Sequence, residues 1–571
     1  MADSLNSGGN KPQELSMEMR LLLAFVLMGV VMWISQTYFA PPPKKAAPPA
    51  AATPTSPSPI ETAKTNPAAP ETPAATAPAP APNATAEKVE PAFVVQTNLY
   101  RIVINNQGAT VRSWQLKKFK GSDGKPLDLV NGAAGLDFPF SLYFTGAKPS
   151  ANVNWVWYKQ TGDPDGLGVT YEFSDGHTSV RKTFRFQANS YLSTVSAEVT
   201  QDGKPLPCTI EWRGGFGDFT VATAAANQRT LYFDVTQNKL VEQNAKAAAS
   251  GPLTASGNFS FAGLADNYFA AVFLPEGAGT MRQTTFSDRV KTPIDETAQP
   301  FTGVAVGAEP ANKFELFVGP KDLDLLAKIN PKLTQTVDFG WFWFLAKPLF
   351  QIVNYVNDQF VRNFGWSIVL VTIFINFALF PLKLNSMKSM KKMQALKPQI
   401  DAINEKYKGV GIRDPKKADQ NQEVMDLYKK HGVNPMGGCL PMALQIPFFI
   451  AFYKVFSVSV EMRGAQWLWV TDLSQPEHLP IKILPIVMIA SQFIMQKMTP
   501  QPAGDPAQQK MMMFMPLLFG FMFYNFPSGL VLYYLTSNLV GMAQQWFFNK
   551  TSLASVAAQS VLPPKKKNGG K

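Results

Sequence analysis

Two carboxamides stand in stretches that are otherwise hydrocarbon. Asn376 lies in WSIVLVTIFINFALFPL, from Trp366 to Leu382, and Gln445 lies in a second apolar run beginning near Gly438. Counted as helix, Asn376 is six residues, about 9 Å, from the Leu382 end of its run. Gln445 sits seven residues after Gly438, at a similar depth. Thr372 falls one turn before Asn376 on the same face. Tyr533, Tyr534, Ser537 and Asn538 gather near the middle of the last apolar run. Amides and hydroxyls trade hydrogen bonds but carry no charge to catalyse with. Inside apolar helices such groups are costly, so they face protein or water. Two uses follow: interhelical glue, each bond contributing about 0.6–2 kcal/mol, or the lining of a wet cavity.

Other chemistry is missing. The chain has three histidines, His177, His431 and His478, and none falls in an apolar run, against an intramembrane Ser–His pair or a histidine metal site. No Gly-rich phosphate loop with a following lysine occurs, so neither ATP nor GTP has an evident place. Ser528, in FPSG, lacks a nucleophile-elbow context and serves a turn. Cys208 and Cys439 form no metal-ligand spacing and fall in segments on opposite sides of the membrane, which excludes a disulfide between them. The expectation is a protein without cofactor or metal that binds and partitions rather than an enzyme.

The elements that must hold these residues are mainly membrane spans. Within 571 residues, the first apolar run, Leu21–Ile34 continuing weakly to Ala40, reads as an uncleaved anchor over residues 21–40; Tyr38 and Pro41 suit a cleaved signal badly. Residues 1–20 precede it. Residues 41–92 hold 15 Pro and 16 Ala and read as an extended, disordered linker. From 93 to 337 short alternating runs such as YRIVINNQGATVRSWQL predict an all-β sandwich, closed by a helical piece at GPKDLDLLAKI. Residues 338–364 predict an aromatic-rich amphipathic helix lying in the interface, broken at Pro348, with Leu349, Ile352, Val353, Val356 and Phe360 on its apolar face. A second span covers 365–382, and four more follow within 434–550, near Gly438–Val460, Pro480–Met498, Met511–Phe526 and Leu530–Phe548. The Met511–Phe526 run reaches only about 24 Å, short enough to favour local thinning of a bilayer. The whole is a polytopic α-helical membrane protein with six transmembrane helices, a large β domain and a helical hairpin.

Charge placement orients it. The net charge is +12. Between the second and third spans, Lys383–His431 holds 12 Lys/Arg against 6 Asp/Glu, and the tail (551–571) is basic, whereas Glu461–Pro480 has Arg463 and Lys-free acidity in Glu461, Asp472 and Glu477. Basic loops mark the cytoplasmic side, so both termini are cytoplasmic and the β domain is external. The basic residues lie beside apolar helices and form no nucleic-acid-reading motif. The insert, 383–433, predicts a hairpin: Leu384, Met387, Met390, Met393, Leu396, Ile400, Ile403 and Tyr407 face Val424, Leu427, Tyr428 and His431 across a turn at Gly409, Gly411 and Pro415. Its seam is the hairpin's own core or a Met- and Lys-rich surface for a partner.

Several motifs, in order, carry a resemblance. NPMGGCLPMALQIPFFIAFYKVF, VTDLSQPEHLPIKILPI, QKMTPQPAGDPAQQKMMMFMPLLF and FPSGLVLYYLTSNLVGMAQQW, with LKPQI before them, resemble the YidC-type membrane protein insertases over about Trp341–Phe548. The anchor, linker and β domain resemble the Gram-negative form in arrangement. The resemblance implies a bacterial inner-membrane insertase and chaperone for nascent membrane proteins, working alone or beside the Sec translocon. Five spans would enclose a hydrophilic groove open to the cytoplasm and lipid, lined here by Asn376, Thr372, Gln445, Tyr533, Tyr534, Ser537 and Asn538. Lys391, Lys392, Lys429, Lys430, Lys565, Lys566 and Lys567 would meet cytoplasmic partners, the ribosome and signal recognition particle pathway among them, and anionic membrane lipids. Where the family's second span carries a groove arginine, this chain has Asn376. The expectation is therefore a groove working through water and neutral polar groups, since Lys454, the nearest replacement by composition, lies about 24 Å from Gly438. Competing readings are a solute transporter or channel, though no internal repeat is visible, and an envelope binding protein whose β domain does the work.

Overall fold

Alternation becomes strand wherever one face has a core to bury. Tyr100–Asn105 pairs antiparallel with Thr110–Lys120, setting Ile102 opposite Trp114. Tyr100, Ile102 and Ile104 are buried while the residues between them are not, the two-residue period of a half-buried strand. The fold is that of a computed structural model, which describes residues 89–551 apart from 133–134, 222–223, 278, 293, 410–415, 435–439, 500–515, 518–519 and 522. The expected anchor, nearly all of the linker, Cys439, Lys565–Lys567 and half of Met511–Phe526 lie outside the described residues.

Three antiparallel sheets fill residues 93–320. A four-stranded sheet begins at Phe93, a ten-stranded sheet runs from Lys239–Gln243 at one edge to Lys159–Gly162 at the other, and a five-stranded sheet centres on Thr280–Thr292 and Asp295–Glu309. Phe269–Pro275 (FAAVFLP) is buried on both faces in the middle of the ten-stranded sheet, which explains its unbroken apolar run. Trp114 of the first sheet meets Phe186 of the second at 5.9 Å and Trp212 of the third at 6.3 Å, so one indole joins all three. Lys182 is fully buried, its Nζ donating to the carbonyls of Gly108 and Phe140 at 2.7 Å each. Burial pushes that ammonium down to about 7. Lys321, also fully buried, donates to the carbonyls of Asp266 and Thr336 and is pushed down to about 7 by the same cause. A short helix, α1 (Leu323–Ile329), follows where GPKDLDLLAKI predicts one; Asp322 caps it by accepting from the Leu325 N–H.

The rest is helical. α2 (Trp343–Val356) runs through Pro348 rather than stopping there. Pro348 lies only six residues into the helix, so its missing N–H forfeits a single early bond. The buried stripe is Ala346, Leu349, Phe350 and Val353, whereas Ile352 and Phe360, expected on it, are exposed. The chain then turns by 116° through Asn357–Val361 into α3 (Phe364–Ala378). α3 ends four residues before the expected boundary of the second span, because Pro381 in the first turn of α4 (Phe380–Ala395) cannot continue its hydrogen-bond ladder.

α4, α5 (Lys397–Lys406) and α6 (Lys416–Lys430) form the insert. Its seam is split. Met393, Leu396, Ile400, Tyr428 and Val433 make the hairpin's own core, but Leu384 and Met387 pack on Phe548 instead. α7 (Leu440–Val458), α8 (Ile483–Met498) and α9 (Ser528–Lys550) complete the bundle, α9 packing on α3 and α8, and α7 on α2. No single described helix is long and apolar enough to cross a membrane. The bent pair Trp343–Val361 and Phe364–Ala378 passes that test together, and Gln445–Val458 and Ile483–Met498 are shorter apolar helices.

Candidate functional site

α3 is inside out. Ser367, Thr372 and Asn376 are buried with Ile368 and Val371, while Trp366, Leu370, Phe374 and Phe377, spaced by fours and a three, point outward. Phe374 is 71% exposed and Asn376 is 3% exposed. α9 does the same: Thr536, Ser537, Asn538, Gln544 and Gln545 face in, and Leu539, Trp546 and Phe547 face out. In water this arrangement would leave a large apolar surface exposed; against hydrocarbon it is the stable one.

Asn376 is the node of the inward cluster. Its Nδ2 donates to the Thr372 carbonyl at 2.8 Å, and its Oδ1 accepts from Ser537 Oγ at 3.3 Å and Lys383 Nζ at 2.5 Å. Gln544 Nε2 donates to the Asn376 carbonyl at 3.1 Å. Gln445 Nε2 donates to Ser537 Oγ at 3.3 Å, so α3, α4, α7 and α9 meet through one side-chain network. The Thr372 hydroxyl is spent on its own helix, donating to the Ile368 carbonyl at 2.6 Å. Asn538 turns elsewhere, donating to Ser491 Oγ of α8 at 3.0 Å. Tyr533 stacks on Phe452 at 4.2 Å, and Tyr534 packs on Phe523 at 4.9 Å.

The sequence reading therefore names the node and two of its partners and misses three residues: Lys383, Gln544 and Ser491. The first two had a signal. Lys383 is seven residues after Asn376, and Gln544 seven after Ser537, two helical turns along the same stripe. Assigning Lys383 to the polar insert hid it. The expectation of a wholly neutral site is corrected by its ammonium, which ends on the Asn376 amide. Lys454 is engaged elsewhere, pairing with Asp338 at 2.9 Å.

Of the basic residues expected to meet partners, the four that the structure describes, Lys391, Lys392, Lys429 and Lys430, lie near the base of the hairpin. Ser389 Oγ donates to the Asn434 carbonyl at 3.0 Å, and Met393 packs with Tyr428, bringing Lys391 and Lys392 toward the end of α6 that carries Lys429 and Lys430. Lys429 and Lys430 are exposed. Among the described residues no cluster of three or more His, Cys, Asp or Glu could hold a metal.

Fold and site together define a membrane protein with an inward polar cluster and a large β-sheet domain. Two family descriptions match in succession: "YidC periplasmic domain" over residues 92–352 and "60Kd inner membrane protein" over residues 356–555. Proteins named membrane protein insertase YidC are similar over most of their length. The one from Pelobacter propionicus is 34% identical over 565 residues, 94% of this chain and 99% of its own. That from Geotalea daltonii is 35% identical over 94% of this chain and 99% of its own, and that from Ralstonia nicotianae 35% identical over 80% and 83%. The chain belongs to the YidC family, in the form that carries a periplasmic domain.

Proposed function

We propose that this protein helps nascent membrane proteins insert and fold in the bacterial cytoplasmic membrane, through a polar groove reached from the cytoplasm and from lipid, alone or with the Sec translocon. The observation that carries this reading is the reversed polarity of α3 and α9, amides inward and large apolar rings outward. Lipid covers the rings. The amides offer a client's polar segment hydrogen bonds at a depth where each unsatisfied group would cost several kcal/mol. The client's own apolar helix then partitions sideways into lipid, which supplies the driving force without a nucleotide.

In this reading six helices cross the membrane, residues 21–40 and 365–382 and four within 434–550. Both termini and the hairpin are cytoplasmic, the β domain is periplasmic, and α2 lies in the outer interface. Lys391, Lys392, Lys429 and Lys430, with Lys565, Lys566 and Lys567 of the tail, face the ribosome, the signal recognition particle pathway or anionic headgroups. Lys383 gives the groove a cation that exchanges the Asn376 amide for an acidic side chain of the client. Relatives named as insertases lend a solute transporter no support.

Reconstitution into protein-free liposomes with a short nascent membrane protein tests the proposal. Wild type should insert the client to a protease-protected depth, and Asn376→Leu should reduce insertion at equal protein level. No insertion by wild type refutes the proposal; unchanged insertion by the variant removes Asn376 from it.

A further inference from the structure

The loop after α7 does more than connect. Asn363 Nδ2, at the start of α3, donates to the Gln466 carbonyl at 3.0 Å. Gly365 lies so close to Trp467 that an added Cβ would fall 2.2 Å from its ring, so only glycine fits there. At the start of α9, the Ser528 N–H donates to the Gln475 carbonyl at 2.9 Å and the Gly529 N–H to that of Leu473 at 2.8 Å. At the start of α8, Glu477 accepts from the Leu484 N–H at 2.9 Å and from Trp469 Nε1 at 2.8 Å. One loop thus fixes the β-domain ends of α3, α8 and α9, the helices bearing Asn376, Ser491, Ser537 and Gln544.

Arg463 ties this loop to the β domain. Its guanidinium pairs with Asp218 and donates to the Lys120 carbonyl at 3.0 Å. It lies over the rings of Tyr268 and Phe269, 5.4 and 5.5 Å from their centroids. Both side chains of the pair are almost wholly buried. Asp218 is itself held, its Oδ1 accepting from the Thr220 N–H at 2.8 Å and its N–H donating to Asp266 Oδ2 at 3.3 Å. Three segments of the β domain therefore enclose one side chain from the helical bundle. A buried pair of this kind makes a poor stability device, since apolar replacements often serve as well, but a specific fixing point.

We propose that Arg463 is a positioning residue through which the β domain sets the geometry of the polar cluster. The path is contiguous: Asp218, Arg463, the loop, then the ends of the three helices. The inference rests on the insertion reading, and its test separates the two. Arg463→Ala, Asp218→Ala and the double variant are reconstituted as full chains beside wild type. Spin labels at Gln237→Cys and Leu468→Cys, with the native cysteines replaced, report the distance between β domain and loop. Each single variant should insert about fivefold more slowly and broaden the distance distribution. The double variant should be no slower than either single one, because both remove the same link. Arg463→Lys, which keeps charge without the planar fork, should recover part of the rate. Wild type that inserts nothing defeats the reading beneath. Insertion by Arg463→Ala at the wild-type rate, or losses that multiply in the double variant, overturns this inference alone.

Discussion

The β domain and the helical bundle solve one packing problem with opposite signs. In the β domain, apolar residues turn inward around Trp114, Trp212 and Phe269, and the charges that remain inside are satisfied, as Lys182 is by two carbonyls. In the bundle, α3 and α9 keep amides and hydroxyls inside and present Phe374, Leu370 and Trp546 outside. Both follow a single rule: the outer surface matches its solvent, and most buried polar groups find partners. The difference is the solvent, and an exposed aromatic ring means different things in the two places.

The sharpest way to break that contrast is to place one charge at two exposed rings. Phe374→Asp should prevent the protein accumulating in membranes, since an acid at mid-depth in a span costs about 2.5–3.5 kcal/mol. Trp155→Asp, at a ring 55% exposed on the β domain, should change stability by no more than about 0.5 kcal/mol. Membrane fractionation of both variants decides it. Equal accumulation would mean that α3 does not face lipid.

A smaller effect separates charge from hydrogen bonding at the node. Lys383→Gln can still donate to Asn376 Oδ1, whereas Lys383→Met cannot. If the ammonium acts as a charge, both variants should insert a client with an acidic translocated segment about tenfold more slowly, with little change for its neutralised form. If only the hydrogen bond matters, Lys383→Gln should behave as wild type in the same liposome assay.

A separate effect belongs to the β domain. Lys182 and Lys321 have folded values of about 7, below that of an unfolded lysine. Between pH 7 and about 10 the unfolded chain therefore binds more protons, and stability should rise with pH by about 1 kcal/mol per unit for each lysine. Hydrogen exchange of the β-domain strands in the full chain, compared with Lys182→Met, would show that slope reduced. An unchanged slope would remove Lys182 as its source.

Much of this was legible in the sequence because single periods reported it. Strand alternation in YRIVIN, the short helix at GPKDLDLLAKI and the polar positions Asn376, Gln445 and Ser537 could each be read locally. What stayed hidden depended on partners. The stripe of α2 is displaced because α7 decides which face is covered. Lys383 looked like part of a basic insert until the helix break at Leu379 put it beneath Asn376. Arg463 looked like an isolated charge in an acidic loop, since nothing in its neighbours announces a buried acid 245 residues away.

The divided seam of the insert has a mechanical consequence. Leu384 and Met387 are fastened to Phe548, whereas Met390, Met393 and Leu396, further along the chain, pack with Ile400 and Tyr428 of the hairpin. One helix, α4, is thus held at its root by the bundle and at its far end by the hairpin. A pull on the hairpin is therefore carried along α4 to that root, where Lys383 meets Asn376.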